Sequence, residues 1–167
     1  MRPTWAGIGD TSNTVEQIGT DSDCQGGVPV YYAWYEMYPK SLVKITGVGV
    51  VPGHSYAGEV TYASGSFRLR LQDLNTGASF STTQSRKASR SSVEWIMEGP
   101  SSGSLTNFGS VAFSGAAATI GGKSGQLDPS VFGNADPITM VSSQGVTRAL
   151  PSTPPSGGSF SVTWKHS

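Results

Sequence analysis

Residues 56–71 read YAGEVTYASGSFRLRL. Tyr56 to Tyr62 alternates in character, Ser64-Gly65 is a turn signal, and Phe67, Leu69 and Leu71 then fall on one side of an extended chain. Successive side chains of a strand point to opposite faces, so the pattern predicts two strands, the second with an apolar face toward a core. Working outward, Val28 to Tyr38 is aromatic and extended in character, and Leu42 to Val51 (LVKITGVGVV) stops at the turn signal Pro52-Gly53. Asn75-Thr76-Gly77 marks another turn. Ala78 to Thr83, Ser92 to Met97, Phe108 to Ser114 and Phe160 to Trp164 (FSVTW) complete the predicted strands. Helical periodicity is hard to find anywhere. Many short strands with few charges predict an all-β chain: an antiparallel β-sandwich of two sheets packed face to face.

The 167 residues suit one domain, 1–167, and would cramp two. Residues 99–104 (GPSSGS) and 151–159 (PSTPPSGGS) are low in complexity and read as surface loops. Eleven Lys and Arg balance eleven Asp and Glu, and charged residues make up only 13% of the chain, about half the usual share. Without a basic excess to neutralise phosphates, nucleic acid is a poor partner. No apolar run approaches the ~18 residues a membrane-spanning helix needs. The lone Cys24 excludes an intrachain disulfide framework and a multi-cysteine metal site. A charge-poor, Ser/Thr/Gly-rich composition points to secretion, with a monomer as the default. No signal-peptide pattern is visible in the opening residues, so a secreted protein would have had its targeting segment removed.

Candidate chemistry is sparse. His166 lies at the C-terminal end and His54 in a turn, and no Gly-x-Ser-x-Gly elbow accompanies them to suggest a Ser/His/Asp triad. A zinc site lacks ligands, and Cys24 has no histidine nearby in the chain. Carboxylates and amides remain. In Val93-Glu94-Trp95-Ile96-Met97-Glu98, alternation puts Glu94, Ile96 and Glu98 on one face and assigns Trp95 and Met97 to the core. That acidic face either lines a groove or is an ordinary wet face. In Tyr31 to Pro39, residues Tyr32, Trp34, Glu36 and Tyr38 share a face, which fits a groove lining as well as an aromatic core strand. A third cluster joins Trp5-Ala-Gly-Ile-Gly-Asp10 with Gln17 and Asp21. Gln17 faces opposite to its neighbours Glu16 and Ile18.

Taken in order, these segments resemble the glutamic peptidases, or eqolisins, a family of pepstatin-insensitive acid endopeptidases. The resemblance runs from Trp5-Ala-Gly-Ile-Gly-Asp10 through Gln17-Ile-Gly-Thr-Asp21, Ala33-Trp-Tyr-Glu-Met-Tyr-Pro39, Val51-Pro-Gly53 and Val93-Glu-Trp-Ile-Met-Glu98. It ends with Asn107-Phe-Gly-Ser-Val-Ala-Phe113 and Phe160-Ser-Val-Thr-Trp164. It implies a concanavalin- or jelly-roll-like sandwich of curved antiparallel sheets whose concave face is a substrate groove. It also implies a cofactor-free and metal-free secreted endopeptidase acting on polypeptides in acid. Glu94 in the EWIxE string would be the general acid/base and Gln17 the amide that stabilises the oxyanion. Trp5, Asp10, Asp21, Trp34 and Tyr38 would support the groove, and Glu36 and Glu98 match further family carboxylates.

The chain departs from the fungal pattern in several places. Tyr32 stands where those members carry Asp, and Met37 where they often carry Trp. The Gln17 to Trp34 separation is a few residues longer. The sequence pI of about 6.7 contrasts with their acidic character. Two other readings compete. A sandwich glycoside hydrolase would pair Glu94 with Glu98, yet four residues along a regular strand span ~13 Å, against ~5–5.5 Å or ~6.5–9.5 Å for such enzymes. A non-catalytic carbohydrate- or peptide-binding module would use Trp5, Trp34 and Tyr38.

Overall fold

The computed structural model describes residues 3–10, 14–100, 104–133, 135–153 and 157–167. Parts of both low-complexity segments, residues 101–103 and 154–156, lie outside the described residues. The chain divides into two compact units, Met1–Glu98 and Gly99–Ser167.

In the first unit, β1 (Thr4–Gly9), β2 (Val15–Gln25), β3 (Val28–Tyr38), β4 (Val43–Ile45) and β8 (Ser92–Met97) form a five-stranded antiparallel sheet in the order β4-β3-β2-β1-β8. Against it lies a three-stranded sheet of β5 (Tyr56–Ala63), β6 (Ser66–Asp73) and β7 (Ser79–Ser85). Ile18, Ala33, Met37 and Ile45 from the larger sheet meet Phe67, Leu69 and Leu71 from the smaller one. Phe67 and Leu69 are wholly buried, as the alternation in residues 66–71 predicts. Burying each such side chain is worth about 1.5–3 kcal/mol, and this cluster holds the two layers together as a β-sandwich.

Local sequence explains the boundaries. β2 and β3 form the longest ladder, joined by Gly26 and Gly27, both at positive φ (59° and 83°) as a two-residue hairpin turn requires. The predicted strand over residues 42–51 is ordered as a strand only from Val43 to Ile45, because Gly47 turns the chain at φ 94°. Met97 is buried as expected, whereas Trp95 is only half-buried, since β8 is the last strand of its sheet. His54 is not a simple exposed turn residue. Its Nδ1 lies 2.9 Å from Oδ2 of Asp73, which is buried at the end of β6 and also accepts the Asn75 amide at 2.8 Å. Burial works to raise the Asp73 carboxyl, but His54 and the turn amides outweigh it and hold it at about 2.

The second unit contains a four-stranded antiparallel sheet of β12 (Met140–Val141), β13 (Thr147–Pro151), β14 (Phe160–Trp164) and β9 (Ser110–Phe113), in that order. A two-stranded hairpin, β10 (Ala117–Ile120) and β11 (Lys123–Gln126), accompanies it. Phe113 and Phe160 stack across β9 and β14 with ring centroids 4.6 Å apart. A short helix, α1 (Pro129–Phe132), is capped by Asp128, whose carboxylate accepts the Ser130 amide. One turn is too short to carry a readable helical period.

Candidate active site

The register of the larger sheet lines up the candidate residues in rows. Gln17 pairs with Glu36 on one side and with Gly7 on the other, and Gly7 pairs with Glu94. Residues directly opposite one another share a face, so Glu36, Gln17, Gly7 and Glu94 form one row across four strands. The next row places Trp34, Gly19, Trp5 and Ile96 side by side. Beyond it, Asp21 pairs with Tyr32, and on the other flank Tyr38, Val15, Gly9 and Ser92 align. The opposite face carries Met37, Glu16, Ile8 and Val93, next to the core.

Gly7 shapes the centre of the row. A Cβ there would lie 3.0 Å from the Glu16 carbonyl oxygen, 3.1 Å from Trp5 Cζ3 and 3.2 Å from Gln17 Cβ. The bare backbone keeps a slot open between an amide and a carboxylate two strand spacings apart, about 10 Å between backbones. The Glu94 carboxylate leans over Gly9, where an added Cβ would be 3.1 Å from Oε1. Ser92 Oγ donates to the same Oε1 at 2.6 Å and fixes its orientation.

Gln17 is buried, and its Nε2 donates to Glu36 Oε2 at 2.7 Å. That bond uses one of two amide hydrogens, and Oε1 has no hydrogen-bond partner among the described residues. Burial pushes the Glu36 carboxyl above its ordinary 4.5, the Gln17 amide pulls it back, and the charge of Glu98 raises it again. Glu98 lies just past β8 and accepts the Trp5 indole N–H at 3.0 Å. Asp21 is buried and accepts the Tyr32 hydroxyl at 2.7 Å, and Lys44 Nζ sits 3.9 Å over the Tyr32 ring. Burial and the neighbouring Asp21 push the Tyr32 phenol well above its usual range.

The structure thus brings Gln17, Glu94, Glu36, Trp5, Trp34, Asp21 and Tyr38 to one face, with Tyr38 half exposed at its margin. Asp10 stands just past β1, where its amide donates to the Thr14 carbonyl and its charge acts on Glu16. The β8 ladder runs from Ser92 to Met97 without a register shift, so no bulge in it shortens the spacing from Glu94 toward Glu98. Sequence reasoning missed Gly7 and Ser92. Ser92 stands two residues before Glu94 and Gly7 two after Trp5, yet neither residue type signals chemistry by itself. Among the described residues, no three His, Cys, Asp or Glu side chains converge as metal ligands, and no helix is long and apolar enough to cross a membrane.

An ionisable carboxyl and an amide with a further donor hydrogen therefore stand on one sheet face with a glycine between them. Such a site can activate a water with one group and stabilise an oxyanion with the other.

The chain is similar to known peptidases. The Peptidase A4 family profile matches residues 3–164. Aspergillopepsin-2 of Aspergillus niger is 33% identical over 171 residues, covering 96% of this chain and 58% of that protein, so the chain spans less than two thirds of this relative. The crystal structure of aspergilloglutamic peptidase from Aspergillus niger superposes with a TM-score of 0.82 at 30% identity, covering 98% of each chain. Scytalido-glutamic peptidase, solved with a transition state analog inhibitor, gives 0.78 at 27% identity, covering 98% of this chain and 83% of that one.

Proposed function

The chain belongs to the Peptidase A4 family, and from that premise we propose that it is a secreted acid endopeptidase that hydrolyses polypeptides with Glu94 and Gln17. The observation that carries this reading is the row in which Gly7 alone separates the Gln17 amide from the Glu94 carboxylate. A substrate carbonyl laid over Gly7 has an acid on one side and an amide donor on the other. Glu94 takes a proton from water as the water oxygen bonds to the carbonyl carbon, and the carbonyl electron pair moves onto oxygen. Gln17 donates its free N–H to that oxyanion, a contribution of about 10²–10³-fold. Glu94 then returns the proton to the amide nitrogen as the C–N bond breaks; a positioned acid/base of this kind is worth about 10²–10⁴-fold. An amide does not titrate, so the oxyanion donor persists in acid.

Trp5 and Trp34 form the adjacent row and wall the site on that side, and Glu36 orients Gln17. Residues 1–167 are read as one working domain, supported by the span of the family match. Secretion is supported by the charge-poor composition, 13% Asp, Glu, Lys and Arg. The test is release of peptides from an acid-unfolded protein across about pH 2–7, for wild type and Glu94→Gln. Cleavage with an acidic optimum, insensitive to pepstatin and abolished in a folded Glu94→Gln, is expected. Undiminished cleavage by Glu94→Gln would overturn the mechanism.

A further inference from the structure

The chain is neutral overall, but its charge is not evenly spread. Residues 60–93 carry five cations (Arg68, Arg70, Arg86, Lys87 and Arg90) and one acid, Asp73. Asp73 is occupied by His54 and its own turn. Three of the cations line one cleft of about 470 Å³, together with Tyr62 and Ser85, and no acidic side chain lines it. Among the described residues Arg86 alone of the three has an acid within ion-pair distance, the buried Glu16, so the remaining like charges repel one another and an anion would stabilise them.

Both guanidinium groups are held in place. Arg90 lies over the face of Tyr62, 3.9 Å from the ring centroid, and Nη1 donates to the Ala88 carbonyl at 2.9 Å. Arg86 donates through Nη1 to the Met37 carbonyl at 2.7 Å, while its Nε lies 3.4 Å from the buried Glu16. Each keeps further N–H donors, and the ordering that a ligand would otherwise impose is already in place. Lys87 is exposed and has no acidic partner among the described residues.

We propose that this cleft binds a tetrahedral oxyanion, a phosphate or sulfate group, at a site separate from the Gln17–Glu94 row. A carboxylate offers two oxygens, which a single arginine can satisfy. A phosphoryl group brings three oxygens and about −1.5 to −2 charges at neutral pH, which suits two arginines, a lysine and the Ser85 hydroxyl. The assignment does not depend on the peptidase reading, because none of these residues belongs to that row.

The test is calorimetric titration of the intact chain with inorganic phosphate and with sulfate, at ionic strength held constant with chloride. Saturable one-to-one binding is expected, weakened at least tenfold in Lys87→Met and in Arg90→Gln and unchanged in Glu94→Gln. Peptide hydrolysis and circular dichroism of the two cleft variants should match wild type, separating loss of the ligand from loss of the fold. A phosphoserine peptide and its unphosphorylated twin, titrated on the Glu94→Gln background, distinguish the source. Tighter binding of the phosphopeptide than of inorganic phosphate assigns the cleft to modified polypeptides, and equal binding assigns it to the free ion. No saturable binding, or binding that survives in the double cleft variant, overturns the proposal.

Discussion

Gln17 and Glu94 both pair with Gly7, one from each flank, so their side chains rise from the same sheet face with bare backbone between them. A methyl group at position 7 would press on the Glu16 carbonyl at 3.0 Å and on Gln17 Cβ at 3.2 Å. Gly7→Ala is expected to lower kcat/KM by about 10²-fold, the usual consequence of a misplacement near 1 Å. Its overpacking should also cost about 1–3 kcal/mol in urea unfolding. Full activity in this variant would mean that the slot over Gly7 is not where the carbonyl sits.

Ser92 holds Glu94 Oε1 at 2.6 Å. Losing a hydrogen bond to a charged group costs about 1.5–3 kcal/mol, so Ser92→Ala should reduce kcat tenfold or more. KM should change little, and Ser92→Thr should restore the rate. A change confined to KM would instead place Ser92 in substrate binding.

Tyr32 answers the departure seen in the sequence. Its hydroxyl supplies buried Asp21 with a donor at 2.7 Å where the fungal pattern has a second carboxyl. Tyr32→Phe should destabilise the fold by about 1–3 kcal/mol in urea unfolding. Tyr32→Asp sets two carboxylates side by side, and both cannot ionise without strong repulsion. Its loss of stability should therefore grow from about pH 3 to about pH 7; a pH-independent loss would show that the two acids do not meet.

Glu16 is fully buried beside the core, and burial pushes its carboxyl above 4.5 while Arg86 only partly offsets the rise. A carboxyl raised in the folded state adds stability below its unfolded pKa, and that stability is lost as pH rises through the folded value. Glu36, raised chiefly by burial, acts with the same sign. Wild type should thus weaken as pH climbs above the ordinary 4.5 of these groups. Glu16→Gln keeps the shape without the charge: its urea midpoint should equal wild type near about pH 3 and exceed it near about pH 7. Identical pH profiles for the two proteins would rule Glu16 out as the source.

Legibility in the sequence followed from how local each feature is. Phe67, Leu69 and Leu71 sit on one strand between clear turns, so their shared face could be read directly and is buried. β2 was harder, because Thr20-Asp21-Ser22-Asp23 breaks any apolar alternation. What makes that stretch a strand is its pairing with the aromatic β3, although Gly26-Gly27 was a hairpin signal in plain view. The strings around Gln17 and Glu94 were readable as a family resemblance. Their meeting across Gly7 depends on β8 pairing with β1, a contact between distant parts of the chain that no periodicity encodes. The partnership of His54 with Asp73 was hidden for the same reason.

The Gly26-Gly27 hairpin has a consequence for the order in which the protein is made. It gathers Gln17, Asp21, Tyr32, Trp34 and Glu36 from neighbouring stretches of chain, and such local pairings form fast. Glu94 emerges from the ribosome much later, and it reaches Gly7 only when β8 joins β1. Pulse-labelled hydrogen exchange during refolding should protect the β2–β3 amides before those of β8; simultaneous protection would refute this sequence of events. On the proposed mechanism, a nascent chain assembled in that order holds Gln17 and Glu36 but not yet Glu94 in its row, and so carries no cutting edge to turn on its neighbours while it is still being built.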